Sequence, residues 1–273
     1  MSIMCCIYVP EGIVMAADSR LTRTKPTKNS IVSPPSESLQ KTVYVYETTY
    51  TLSDNTQKVF LIKKVNVGVS FCGNAFIDGM TVADFIRRFE IEKVSPTDTA
   101  EEVARKLSEY YKGSGTHFFV CGYNEDIPFV YDVIDGYSRS NISTSTVNQT
   151  VPKESEDNDE TQEQEIGIPE NVLIKNVDEI AIPTDSTITF GALWAGRKTA
   201  ISKIVNNPPI LNADWNTMPL KDAIDFAEFL IDTTIKYERF CDDIQACGGD
   251  IDILVITKDE AFWKQHKIYC STR

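Results

Sequence analysis

Two short apolar segments at the start of the chain constrain its fold more than any other feature. Residues 4–9 and Gly12–Ala17 are apolar on successive positions, and a Pro-Glu-Gly sequence separates them. A strand that is apolar on both faces is covered on both sides in the folded protein, and a short turn between two such strands is typical of a hairpin. The segments therefore predict a hairpin inside a sheet, with further layers packed against each face.

The charge of the chain excludes two classes of partner. Its 273 residues carry 27 Lys and Arg against 40 Asp and Glu, a formal net charge of −13. Nucleic acids and anionic membranes both bind basic surfaces, so neither is an expected partner. No apolar run approaches the length of a membrane span, and the N-terminus lacks the basic flank and cleavage site of a signal peptide. We therefore expect a cytoplasmic protein.

The seven cysteines predict free thiols rather than a metal site or a disulfide framework. They are odd in number, none forms a CxxC pair, and most lie inside apolar runs. Buried free thiols are typical of proteins of the reducing cytoplasm. Only His117 and His266 are available for a Cys/His zinc site or a His-based catalytic triad, so we expect neither a metal nor a cofactor.

Strand and helix patterns along the rest of the chain predict one α+β domain. Strand pairs are expected at 58–62 with 65–71 and at 116–122 with 128–134, with further strands at 187–192, 251–257 and 268–270. Apolar residues recur at helical spacing in 78–90, 97–111, 195–205 and 220–237. The order predicts a four-layer αββα sandwich of two antiparallel sheets, in a single domain over residues 1–273.

Two polar stretches are predicted to be insertions into that domain. Lysines and prolines at about 25–55 indicate a loop, and β-branched and Tyr residues at 42–52 favour a strand or hairpin within it. The second insertion, 149–184, contains the acidic tract ESEDNDETQEQE at 154–165. Such low-complexity tracts are typical of solvated, mobile loops, and a patch that binds a basic partner is the alternative.

The N-terminus carries a candidate nucleophile. Removal of Met1 before the small residue Ser2 leaves a hydroxyl and a free α-amine on one residue, and that amine is a known base for such a hydroxyl. A rival start at Met4 exposes Cys5 instead. Cys5 lies an odd number of residues from Ser2, so it faces the opposite side of the strand.

The chain resembles the proteasome β-subunits and HslV-type peptidases of the N-terminal nucleophile (Ntn) hydrolases. Four segments carry the resemblance in family order: 12–20, 57–62, 71–74 and the Cys-Gly-Gly turn with its strand at 247–259. Together they are far more specific than any one of them. The resemblance covers most of the chain outside the two insertions. It also favours Ser2 over Cys5, because Ser2 lies sixteen positions before Asp18, as the family's terminal threonine does.

The resemblance implies a role for each residue of the catalytic group. Ser2 is the nucleophile, Lys58 lowers the pKa of its α-amine, Asp18 orients Lys58, and the amide of Gly73 binds the oxyanion. Taken singly, each has a structural alternative: Asp18 as a strand end, Lys58 as a solvated edge lysine, Gly73 as a helix-entry glycine.

The sequence departs from the family pattern around the terminal amine. Ala192 stands where we expect the hydroxyl of the family's Gly-Ser-Gly turn, and Asp243 and Cys247 are one residue too far apart to match its Asp-x-x-Ser pair. Asp243 is retained as a candidate that serves the amine. Thr22 and Asn74 are the candidates for substrate contacts.

The expected function is hydrolysis of peptides or unfolded proteins through an acyl-enzyme. The resemblance implies a homo-oligomeric ring, with an unfoldase or regulator as a further partner. Two alternatives stay open: a non-catalytic proteasome-like structural subunit, and an amidohydrolase of the same fold that acts on small amides. Retention of Met1 would remove the amine and favour the structural subunit.

Overall fold

The N-terminal hairpin predicted from the sequence is present at the centre of a sheet. The computed structural model describes residues 2–31, 42–111, 113, 115–134, 137–140, 142–143, 187–188, 190–205, 213–242 and 244–267. Within these residues the chain forms sixteen strands and four helices. The strands are β1 (Ile3–Val9), β2 (Gly12–Ala17), β3 (Leu21–Ile31), β4 (Thr42–Ser53), β5 (Val59–Ile62), β6 (Val67–Gly73), β7 (Phe76–Ile77), β8 (Met80–Thr81), β9 (Thr116–Asn124), β10 (Ile127–Ile134), β11 (Tyr137–Ser140), β12 (Ile142–Ser143), β13 (Thr187–Ile188), β14 (Gly191–Gly196), β15 (Asp252–Ile256) and β16 (Ala261–Gln265). The helices are α1 (Val82–Lys93), α2 (Ala100–Tyr110), α3 (Thr199–Val205) and α4 (Leu220–Glu238).

Two five-stranded antiparallel sheets carry most of the chain. The first has the order β14-β1-β2-β15-β16, and the second has the order β11-β10-β9-β6-β5. Every residue of β1 and β2 is buried, as the unbroken apolar runs predict. The late strand β15 pairs with β2, so the Cys-Gly-Gly turn before it lies next to the end of β2.

Three apolar clusters show how the sheets and helices pack. One joins the second sheet to α1 and α2, and another joins the first sheet to α3 and α4. The third contains residues of both sheets, among them Met4, Met15, Val59 and Phe119. Each sheet therefore has one face against helices and contributes its other face to a shared core. The result is a mixed α/β fold with antiparallel sheets.

Local signals explain where the helices begin. Thr99 and Glu102 form a reciprocal capping box at the start of α2, in which each side chain accepts from the other residue's amide. Helix α1 begins at Val82, whereas the helix was predicted at 78–90. The Thr81 side chain caps the helix, and the preceding residues form the short β7–β8 hairpin.

A long two-stranded hairpin occupies the described part of the loop predicted at about 25–55. Strands β3 and β4 pair from Leu21 opposite Ser53 to Ile31 opposite Thr42, separate from both large sheets. The expectation of a strand at 42–52 is thereby confirmed, whereas a loop at 25–31 is wrong. The acidic tract at 154–165, the rest of the 149–184 insertion and the predicted strand at 268–270 lie outside the described residues. None of the helices that the structure describes is long and apolar enough to cross a membrane.

Candidate active site

The site is built around a buried ion pair at the end of β2. The Lys58 ammonium donates to Oδ1 of Asp18 at 2.6 Å, and the two side chains are 2% and 0% exposed. Asp18 directly follows β2 and Lys58 directly precedes β5, so one charge comes from each large sheet. Ions at this depth occur almost only as pairs, because an isolated buried charge is very costly.

Three backbone amides complete the environment of the Asp18 carboxylate. Ile3 donates to Oδ1 at 3.1 Å, while Arg20 and Gly248 donate to Oδ2 at 3.1 and 3.0 Å. These amides come from the start of β1, the connection between β2 and β3, and the turn before β15. The carboxylate is therefore fixed in orientation, and it joins the beginning of the chain to Lys58.

Ser2 is the chain neighbour of Ile3, whose amide bonds the ion pair. It precedes β1 directly, is 5% exposed, and its carbonyl accepts from the amide of Arg197 at 2.8 Å. A Cβ at Gly196 would lie 1.9 Å from that carbonyl oxygen, so the close approach requires glycine at position 196. The next residue, Ile3, bonds Asp18, so Ser2 lies one residue from a direct contact with the ion pair.

The alternation along β1 separates Ser2 from the rival nucleophile Cys5. Met4 and Cys6, which share the parity of Ser2, belong to the core between the sheets. Cys5 belongs to the cluster under the helices and is fully buried, and burial raises the pKa of its thiol. Cys5 therefore lies on the opposite face of β1 from Met4 and Cys6, as its odd spacing from Ser2 predicts.

The turn beside Ser2 is not the one predicted from the sequence. Ala192, the residue expected near the terminal amine, lies opposite Ile7 in the middle of β1. The residues next to Ser2 are Gly196 and Arg197, because β14 continues to Gly196 instead of giving way to a helix at 195. Helix α3 accordingly begins at Thr199. The prediction was wrong because strand pairing with β1 extends β14 by four residues.

Gly73 ends β6 close to Lys58. The Lys58 carbonyl accepts from the amide of Phe71, two residues before Gly73, at 3.0 Å. Gly73 has φ of +98°, and a Cβ there would lie 2.2 Å from the carbonyl oxygen of Gly115. Only glycine fits this position. Burial raises the pKa of the adjacent Cys72 thiol to about 12, and the charge of Lys58 acts in the opposite direction.

Asn74 and Thr22, the predicted substrate contacts, lie on two different segments of the chain. Asn74 follows Gly73, is exposed, and its amide donates to the Gly115 carbonyl at 2.7 Å. Thr22 lies on β3 opposite Thr51, four residues after Asp18. Their role in binding stays a prediction.

A carboxylate that sequence reasoning missed supports the turn behind Asp18. One oxygen of Glu238, at the end of α4, accepts from the amides of Ala246 and Cys247 at 2.8 and 2.7 Å. Its other oxygen pairs with Arg197 Nε at 3.0 Å. Asp243, the predicted candidate, lies outside the described residues. The sequence did contain a signal for a buried Glu238. This residue lies four positions after Thr234 and so falls on the buried face of α4.

A cavity of about 190 Å³ lies next to this carboxylate. It is lined by Glu238 and Arg197 together with residues of α3 and α4, among them Thr199 and Tyr237. Arg197, one of these lining residues, also donates its backbone amide to the Ser2 carbonyl. Within the part of the chain that the structure describes, no group of three or more His, Cys, Asp or Glu residues is placed to hold a metal ion.

Comparisons with known proteins give a match in structure alone. No family model matches the sequence, and no curated protein matches it. Among the solved structures that match is an Anbu (Gly-1) mutant from Hyphomicrobium sp. strain MC1, with a TM-score of 0.53 and 12% identity, covering 100% of this chain and 88% of that one. Anbu has a proteasome-like fold, and at this identity the likeness shows the fold alone.

Proposed function

We propose that the chain is an N-terminal-nucleophile peptidase of threonine type, in which Ser2 attacks the substrate once Met1 has been removed. One observation carries the proposal: Oδ1 of Asp18 accepts both from the Lys58 ammonium and from the amide of Ile3, the residue after Ser2. A lysine buried beside a chain start is hard to explain by stability, since apolar residues of similar volume often stabilise a core equally well.

The fold that we propose for it is the four-layer αββα sandwich of the Ntn hydrolases. Three apolar clusters support this reading, one between the sheets and one between each sheet and its helices. The likeness to Anbu is a further support.

The chemistry follows from the residues around the chain start. The Ser2 Oγ attacks the carbonyl carbon of the scissile bond, and its proton passes to the Ser2 α-amine. An unperturbed α-amine has a pKa of about 7.7–8.0, and a neighbouring ammonium such as that of Lys58 lowers it. The amine therefore works as a base near neutral pH.

The oxyanion formed in this step requires a fixed donor. We assign that role to the amide of Gly73, and a donor of this kind is typically worth about 3–4 kcal/mol. Collapse of the tetrahedral intermediate breaks the C–N bond, and the leaving amine takes the proton from the Ser2 amine. Water then attacks the resulting ester, which releases the acid and restores the Ser2 hydroxyl.

The setting that we propose is a cytoplasmic homo-oligomeric ring whose substrates are peptides or unfolded proteins, supplied by an unfoldase or regulator. The resemblance in four sequence segments supports this assembly. In the chain, the hairpin β3–β4 lies between Asp18 and Lys58. We therefore expect it to border the substrate groove and to influence substrate choice.

Intact mass and active-site labelling test the proposal. The purified protein should lack Met1, gain the mass of one β-lactone or epoxyketone at Ser2, and hydrolyse members of a fluorogenic peptide panel. Ser2→Ala should lose both labelling and hydrolysis, whereas Ser95→Ala, an exposed position outside the site, should keep both.

Other outcomes favour the alternatives. A retained Met1, or a mature protein that the electrophile does not modify, would point to a non-catalytic structural subunit. Labelling at Ser2 without peptide hydrolysis, combined with turnover of small amides, would point to an amidohydrolase.

A further inference from the structure

A second buried lysine contacts the chain segments next to the ion pair. Lys267, two residues after β16, has a side chain only 7% exposed, and its ammonium contacts the carboxylate of Asp252, which is fully buried. Asp252 also accepts from the amide of Lys267 at 3.1 Å and lies near His266 Nδ1 at 3.2 Å. This carboxylate belongs to β15, directly opposite Ala17, the residue before Asp18.

The Lys267 ammonium connects the two chain segments that carry the ion pair. It donates to Oγ of Ser19 and to the carbonyl of Thr56 at 3.2 Å. Ser19 directly follows Asp18, and Thr56 lies two residues before Lys58. Asp252 and Lys267 therefore hold both segments at one point.

The backbone of Ser19 strengthens this connection. Its carbonyl accepts from the amide of Thr56 at 2.9 Å, and its amide donates to the carbonyl of Gly248 at 2.9 Å. Its hydroxyl donates to the carbonyl of Asp250. Ser19 thus bonds two other segments, Thr56 and the turn at 248–250, and Lys267 is the charged residue at their junction.

We propose that Lys267 is a positioning residue for the site, which acts through Ser19 and Thr56 to set the place of Asp18 relative to Lys58. The inference rests on the proposed function, because it concerns how fast Ser2 reacts. Lys267 contacts residues next to the ion pair, and we do not propose that it touches substrate. The physical basis of this inference is that reaction rates are sensitive to small displacements of the reacting groups.

Labelling kinetics separate positioning from stability. The mature protein is treated with an excess of a Ser2-directed β-lactone, and the rate constant at saturation, the half-saturating concentration and the final labelled fraction are measured. Lys267→Met should lower the rate constant about 10–100-fold, the scale of an ångström-sized misplacement. The half-saturating concentration and the final labelled fraction should stay near those of the parent.

Two further variants keep the test decisive. Ser19→Ala removes the hydroxyl that Lys267 contacts, together with its bond to the Asp250 carbonyl, so it should also slow labelling even if Lys267→Met folds poorly. Lys264→Met, an exposed lysine on β16, is the matched control and should label at the parent rate.

The remaining outcomes overturn the inference in distinguishable ways. If Lys267→Met folds and labels within twofold of the parent rate constant, or merely reaches a lower final fraction, Lys267 serves stability alone, whatever the result for Ser19→Ala. If Lys267→Met does not fold, labelling of Ser19→Ala within twofold of the parent rate constant overturns the inference. If the parent itself is not labelled, the proposed function fails, and the positioning role fails with it.

Discussion

The ammonium of Lys58 lies 2.6 Å from Oδ1 of Asp18, and almost no part of either side chain reaches solvent. Moving two ions out of water costs several kcal/mol for each, and their mutual attraction offsets this cost only when further hydrogen bonds are made. Asp18 has such bonds from the amides of Ile3, Arg20 and Gly248. The pair therefore depends on an arrangement of three separate chain segments.

We expect loss of one partner to destabilise the protein strongly. Lys58→Met leaves Asp18 without its counter-ion, and Asp18→Asn leaves Lys58 without one, so each should lower the free energy of unfolding by about 3–5 kcal/mol. The double variant should cost clearly less than the sum of the two. Urea unfolding monitored by circular dichroism measures all three.

The exposed pair of Lys236 with Asp232 on α4 is the matched control for this cycle. Lys236→Met should change the free energy of unfolding by about 0–1 kcal/mol, as is usual for surface pairs. Additive effects of the two buried substitutions would contradict the coupling that their geometry implies.

Gly73 offers a prediction with a control on the next turn of the chain. Both Gly73 and Gly79 have positive φ, +98° and +78°, but a Cβ at Gly79 meets nothing within 4 Å. Gly79→Ala should therefore cost only the backbone strain, about 1–2 kcal/mol. Gly73→Ala should cost more, because its Cβ also overlaps the Gly115 carbonyl. Equal losses in thermal or urea unfolding would show that the overlap relaxes freely.

The free energy of unfolding should fall in acid, because an ion pair at the base of the β3–β4 hairpin is lost. Arg20 donates to both oxygens of Asp54 at 2.6 and 3.0 Å, and this hydrogen bonding lowers the pKa of the Asp54 carboxyl below its ordinary value. When folding lowers the pKa of a carboxyl, the ionised carboxylate stabilises the folded protein. This contribution is fully present at pH values above the pKa of the unfolded state, which is about 3.9. The contribution is lost as the pH falls through the folded pKa.

Asp54→Asn isolates this contribution. The difference in free energy of unfolding between parent and variant should be constant near neutral pH and shrink as the pH falls below about 4. Because the Asp54 side chain is 45% exposed, we expect a modest difference. A difference that does not change with pH would contradict the assignment to the Arg20 pair.

Two cysteines should differ in their reaction with iodoacetamide. Burial raises the pKa of the Cys72 thiol to about 12, so little thiolate is present at pH 8, whereas Cys241 is partly exposed. Peptide mapping of the native protein should find Cys241 alkylated well before Cys72, and denaturant should remove the difference. Fast native alkylation of Cys72 would indicate an opening next to Gly73.

Local pattern was enough to predict the elements that carry the site. The apolar runs of β1 and β2 predicted a doubly covered hairpin, and the helical spacing near 97–111 and 220–237 matches α2 and α4. Asp18 and Lys58, by contrast, were singled out by the resemblance to a known family and not by local pattern, and their side chains do meet. The placement of Ala192 beside Ser2 was wrong, since a strand's register depends on its partner and not on its own residues.

By itself the sequence determined which segments are buried strands and helices, because apolar periodicity is a property of neighbouring residues. It also placed a small hydroxyl residue after Met1 and a charged residue at two strand ends. Only the tertiary structure decided which distant polar groups share the interior, as Glu238 does with Cys247 and Lys267 with Ser19. A buried charge is tolerated only where partners from other segments converge on it, and that convergence exists only in the folded chain.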